Sequence, residues 1–259
     1  MKKFFFLLCT IAFMATACNR EEPKPDPIPD NGSQNESWIP NAVTDYDGNS
    51  YDAVRIGDQV WMASNLRTTH YANGDAIPAG GTNRSLTMPY YYFPNNDENL
   101  VATFGYLYNW PAVMHGSPSS ENNPSGVQGI CPNGWHLPSN AEWDQFVQNI
   151  KSDSTFLCDP LSGSIANALA ADHDWEPSDK ECSPGYDLNS NNATGFGALP
   201  AGIFYGGYMC LGTIAKFWGA TGCDGCTYAY QRYLFNDGTI LGRVTGDKDG
   251  GLSLRCVRD

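Results

Sequence analysis

The sequence predicts an α+β fold, with two helices set among runs of short strands and long loops. Turn signals crowd its first part: Asp47-Gly48, Gly57-Asp58 and Asn73-Gly74 each separate short apolar or alternating segments. One amphipathic helix is written out in full near the middle. From Gly195 onward, short apolar runs alternate with Gly, Asn and Asp, the pattern of several strands joined by loops.

In order, residues 44–46 and 49–56 are expected to pair across Asp47-Gly48, and residues 54–56 with 59–61 across Gly57-Asp58. Residues 89–93 and 105–110 are aromatic and strand-like. Tyr90, Tyr91, Tyr92 and Phe93 cannot all face inward in a strand, because side chains alternate. Ser139 is the expected N-cap of a helix over 139–150, with Glu142 completing a capping box. Trp143, Phe146, Val147 and Ile150 then share one apolar face. Residues 165–171, rich in Ala and Leu, suggest a second, shorter helix.

Ahead of the fold, Lys2 and Lys3 precede an apolar run over residues 4–13, too short to span a bilayer. Ala15-Thr16-Ala17-Cys18 resembles a bacterial lipobox. Residues 1–17 are therefore expected to be a signal peptide, and Cys18 the lipidated first residue, carrying palmitate-class acyl chains. Residues 18–38 read as a Pro- and Asp-rich spacer, with Pro23, Pro25, Pro27 and Pro29 favouring extended chain. A single domain is expected over 39–259. No Asp follows Cys18, and the expected place is the outer membrane, lipid-anchored and facing outward.

Fifteen basic and 28 acidic residues give a net charge of −13. A chain this acidic is not expected to bind nucleic acid, and its membrane partner is reached through the anchor rather than through anionic headgroups.

Several blocks carry a family resemblance. Tyr46-Asp47-Gly48-Asn49, Val54-Arg55-Ile56-Gly57 and Gln59 to Leu66 come first. Gly105 to Trp110, Ile130 to Trp143, Gly195 to Gly202, Phe217-Trp218 and Ser253 to Val257 follow. In this order they closely resemble the Fibrobacter succinogenes major paralogous domain family, whose members are commonly expected to be lipoproteins. More distantly, Leu137-Pro138-Ser139-Asn140-Ala141-Glu142-Trp143 resembles a motif of formylglycine-generating-enzyme-like domains. That resemblance implies a C-type-lectin-like fold, with ligands met by loops of the second half.

Besides Cys9 and Cys18, seven cysteines are present. Export would make disulfides the default. The expected bridges are Cys131–Cys256, Cys158–Cys182, and Cys210 with Cys223 or Cys226. Cys223-Asp224-Gly225-Cys226 has structural, redox and zinc readings. No helix pattern follows it and no second ligand pair is clear, so a structural bridge is favoured.

Enzyme signatures such as H-E-x-x-H, G-x-S-x-G and a Walker loop are absent from the sequence, so the chain is not expected to be an enzyme. His136 is expected to make structural hydrogen bonds. Glu176-Pro177-Ser178-Asp179 and Phe235-Asn236-Asp237 resemble the two halves of a lectin calcium site, but lie too far apart for the lectin pattern. No cofactor is expected, with Ca2+ the one candidate kept in view.

Aromatic density in the second half remains. Tyr228, Tyr230, Arg232, Asp237, Arg243 and Asp247 combine flat rings with hydrogen-bonding groups and are the candidate ligand-binding residues. The expected function is non-catalytic recognition of a glycan or a surface protein. Two alternatives are a structural part of a cell-surface or pilus assembly, and an oxidase related to the formylglycine-generating enzymes.

Overall fold

Asp45 holds the first hairpin of the computed structural model, which describes residues 37–259. Its carboxylate accepts the Asn49 N–H at 2.9 Å, the Asn49 Nδ2 at 2.9 Å and the Tyr51 hydroxyl at 2.5 Å. Gly48 supplies the left-handed turn residue at φ 84°. The turn joins β1 (Trp38–Thr44) to β2 (Ser50–Ile56), and Gly57-Asp58 leads on to β3 (Gln59–Met62). The expected signal peptide and Cys18 lie outside the described residues, as does most of the expected spacer, although its last residue, Trp38, already belongs to β1. Residues Asn35–Asp259 form one unit by themselves.

Next come β4 (Tyr91–Tyr92), α1 (Val101–Phe104), β5 (Leu107–Tyr108), α2 (Trp110–Met114) and β6 (Trp135–His136). Of the four adjacent aromatics, only Tyr92 is fully buried. The strand expected over 105–110 is cut to two residues. Gly105, at φ 72°, closes α1, and Asn109 caps α2 by accepting the Ala112 N–H, with Pro111 in the first turn.

α3 (Asn140–Ser152) is the one helix longer than five residues among the described residues. Ser139 and Glu142 form the capping box, and Trp143, Phe146 and Ile150 are buried. Each such side chain contributes about 1.5–3 kcal/mol by leaving water. The Trp143 ring lies 4.4 Å from that of Trp61 on β3. The second expected helix shrinks to α4 (Ala166–Leu169), because the chain then extends so that Ala170 and Ala171 can pair with Ala198. The architecture is α+β, with four helices in place of two.

The remaining strands are β7 (Ile203–Phe204), β8 (Tyr208–Met209), β9 (Ile214–Gly222), β10 (Tyr228–Phe235), β11 (Gly242–Asp247) and β12 (Val257–Arg258). The largest sheet is antiparallel, in the order β1-β2-β3-β12-β6, so the last strand enters its interior. A second sheet runs β11-β10-β9 and separates two apolar cores. Trp218, Ala220 and Ala229 join one core; Ala215, Phe217 and Leu234 join the other, as strand alternation requires.

Cys131 is bonded to Cys256, and Cys158 to Cys182. Cys223 is bonded to Cys226, while Cys210 is free and exposed. The expected partnership of Cys210 with that pair is thus corrected. Cys210 precedes β9 and Cys223 follows it, and nine residues of strand at about 3.3 Å each hold them apart.

Candidate recognition surface

Strand alternation places Tyr228, Tyr230 and Arg232 on one face of β10. Opposite them on β11 stand Asp247, Thr245 and Arg243 respectively. Five of the six candidate residues are therefore gathered on one ribbon. The sixth, Asp237, is exposed in the turn after β10, at the far end from Tyr228 and Asp247.

The five are not equivalent. Arg232 is buried, and its Nη2 donates to Asp144 Oδ1 at 2.5 Å and Asn140 Oδ1 at 2.7 Å. Burial lowers the pKa of its guanidinium, and Asp144 opposes that shift. It anchors β10 to the first two turns of α3 and presents little to solvent. Tyr228 is 46% exposed. The Arg243 guanidinium lies 5.7 Å from the centre of the Tyr230 ring and 3.3 Å from Asp144 Oδ2. Asp247 reaches Arg84 only at 3.9 Å. Tyr228, Tyr230, Arg243, Thr245 and Asp247 thus form an open, flat strip with rings, a cation, a hydroxyl and a carboxylate.

A separate concavity of about 600 Å3 is lined by Asp159, Ser164, Asn167, Glu181 and Tyr186 beside the Cys158–Cys182 bridge. In the sequence its one local signal is the Cys158 and Cys182 pair, whose bridge draws the two lining segments together.

The two segments that resemble lectin calcium loops do meet in space. They meet side chain to backbone: Asn236 Nδ2 donates to the carbonyls of Glu176 and Pro177, both at 3.4 Å. Asp47, in the turn between β1 and β2, accepts from the Thr69 N–H and from the Thr68 and Thr69 hydroxyls. Among the described residues, no group of three or more His, Cys, Asp or Glu is placed to hold a metal ion.

His136 is buried between two carboxylates. Its Nε2 is 2.6 Å from Glu142 Oε1, and its Nδ1 is 2.7 Å from Asp259 Oδ1. Burial pulls its pKa down, but the bonds and charges of Glu142 and Asp259 outweigh that and raise it. Both ring nitrogens are engaged, which suits an imidazolium acting as a structural tie.

No helix among the described residues is long and apolar enough to cross a membrane. No curated protein and no solved structure matches the chain. A family model described as the Fibrobacter succinogenes major domain matches residues 54–258, from β2 to the end of β12, and the chain belongs to that family.

Proposed function

We propose that this protein is a lipid-anchored surface recognition module without catalytic activity, and that the β10–β11 strip binds an uncharged glycan. The observation that carries the reading is the pairing of Tyr228 and Tyr230 on one open face. Two residues along a strand set their rings about 7 Å apart. Rings so presented offer flat apolar area at low entropic cost, and Arg243, Thr245 and Asp247 offer hydrogen bonds to hydroxyls. The net charge of −13 disfavours acidic polysaccharides. Anchoring through Cys18 on the outer membrane would place the strip toward the medium. Cofactors, calcium included, have no part in this proposal.

Residues 35–259 applied to a glycan array, with calcium and again with EDTA, test the reading. Binding to one class of neutral glycan in both conditions, lost in Tyr228→Ala, is expected. Binding only with calcium would overturn the metal-free reading, and silence in both conditions would overturn the glycan reading in favour of a protein partner.

A further inference from the structure

Sheet edges are templates for pairing, and proteins blunt those they leave open. The outer side of β9 is occupied by Ser253, Pro138 and Gly202, and β6 is followed at once by the bond from the Leu137 N–H to Val127. β1 carries Pro40, the left-handed Asn41 at φ 48° and a break in register between Ile39 and Val43. β11 has none of these devices. Among the described residues, no backbone hydrogen bond joins residues 243–246 to any segment besides β10. Its outer run is Arg243-Val244-Thr245-Gly246-Asp247, exposed apart from the half-buried Gly246.

That run is complementary to itself. When two copies lie antiparallel about Thr245, each Arg243 faces Asp247 of the second copy, each Val244 faces Gly246, and Thr245 faces Thr245. Opposite charges and Thr–Thr neighbours are favourable cross-strand pairs. The Val244 side chain, 39% exposed, meets a residue with no side chain. The side chains of Arg243 and Asp247 are 47% and 60% exposed, with present partners at 3.3 and 3.9 Å, so re-pairing exchanges a solvent-exposed contact for another.

We infer that β11 is a homodimer edge, joining two copies into one continuous sheet β9-β10-β11-β11-β10-β9 through reciprocal Arg243–Asp247 pairs. A two-fold axis through this edge makes the contact isologous and closed. Paired residues of antiparallel strands project to the same side, so Tyr228 and Tyr230 of both copies share one face. The inference concerns assembly and stands whether or not that face binds a glycan.

Sedimentation velocity on residues 35–259 between about 1 and 100 μM tests it, since a small interface should dissociate within that range. A concentration-dependent dimer is expected. Arg243→Asp and Asp247→Arg should each weaken it about tenfold or more, by replacing attraction with repulsion at two symmetric places. The double variant Arg243→Asp with Asp247→Arg should recover the dimer, which a merely misfolded chain would not do. Thr245→Pro, which removes an edge N–H, should abolish it. A monomer at 100 μM would overturn the inference, as would a dimer indifferent to both charge reversals.

Discussion

The guanidinium of Arg255 lies 4.4 Å from the centre of the Phe196 ring and donates to the Phe196 carbonyl. Arg255 is fully buried, and its other bonds go to Asn65 Oδ1 at 2.9 Å, Gly197 O at 2.6 Å and Met62 O at 3.3 Å. Its recorded partners are uncharged oxygens. One side chain therefore ties the segment after β3 to the loop at 196–197. Arg255→Met should fill the volume yet orphan these acceptors, at a cost of about 3 kcal/mol or more. Urea unfolding would measure it. Arg255→Lys should recover only part, since an ammonium lacks the planar fork.

His136 gives the fold a pH dependence of definite sign. Its folded pKa is raised by Glu142 and Asp259 against the opposing effect of burial. The unfolded value is about 6.5. The stabilisation is thus complete below about pH 6.5 and is lost as pH rises through the raised folded value. Urea midpoints should fall across that window, and less steeply in Asp259→Asn. An imidazole titration by NMR would locate the folded pKa.

Glu142 serves both the capping box and the His136 pair, so its loss should exceed that of the cap alone. Ser139→Ala should cost about 1 kcal/mol. Glu142→Ala should cost more, about 3 kcal/mol or above, because it leaves His136 and the N–H groups of Ser125 and Ser139 without their acceptor. Chemical denaturation of the two variants side by side checks the order.

The bridges should separate by accessibility. Cys131 and Cys256 are completely buried, whereas Cys158 is exposed and Cys223 and Cys226 are half-buried. Mild reductant under native conditions, followed by alkylation and mass spectrometry, should label the outer pairs first. Cys131→Ala with Cys256→Ala removes a link across a sequence separation of 125, worth about 4–5 kcal/mol by loop-closure entropy.

Along β10, Tyr228 and Arg232 should behave oppositely. Tyr228→Ala should weaken ligand binding with little change in stability, since the ring is half exposed. Arg232→Ala should lower stability by about 2–4 kcal/mol, because it frees β10 from Asn140 and Asp144. Melting curves run with binding isotherms distinguish the two effects.

What could be read from sequence was what local chemistry decides. Ser139 and Glu142 announced α3 because a capping box spans four residues. The Asp47-Gly48 and Gly57-Asp58 turns announced the first hairpins for the same reason. α2 escaped notice because aromatic residues 105–110 read as strand, although Asn109 and Pro111 carried a helix-start signal. Alternation brought Tyr228, Tyr230 and Arg232 together, but only register could show Arg243 and Asp247 opposite them. That Arg232 is an internal anchor depends on where α3 packs, a long-range fact that no window of sequence contains. The free state of Cys210 is likewise set by the length of β9.

Strand β12 inserts between β3 and β6, with Val257 opposite both Trp61 and His136. The central sheet therefore stays open until almost two hundred residues after β3 have emerged. A nascent chain can form its early hairpins during synthesis, yet cannot close the sheet around them.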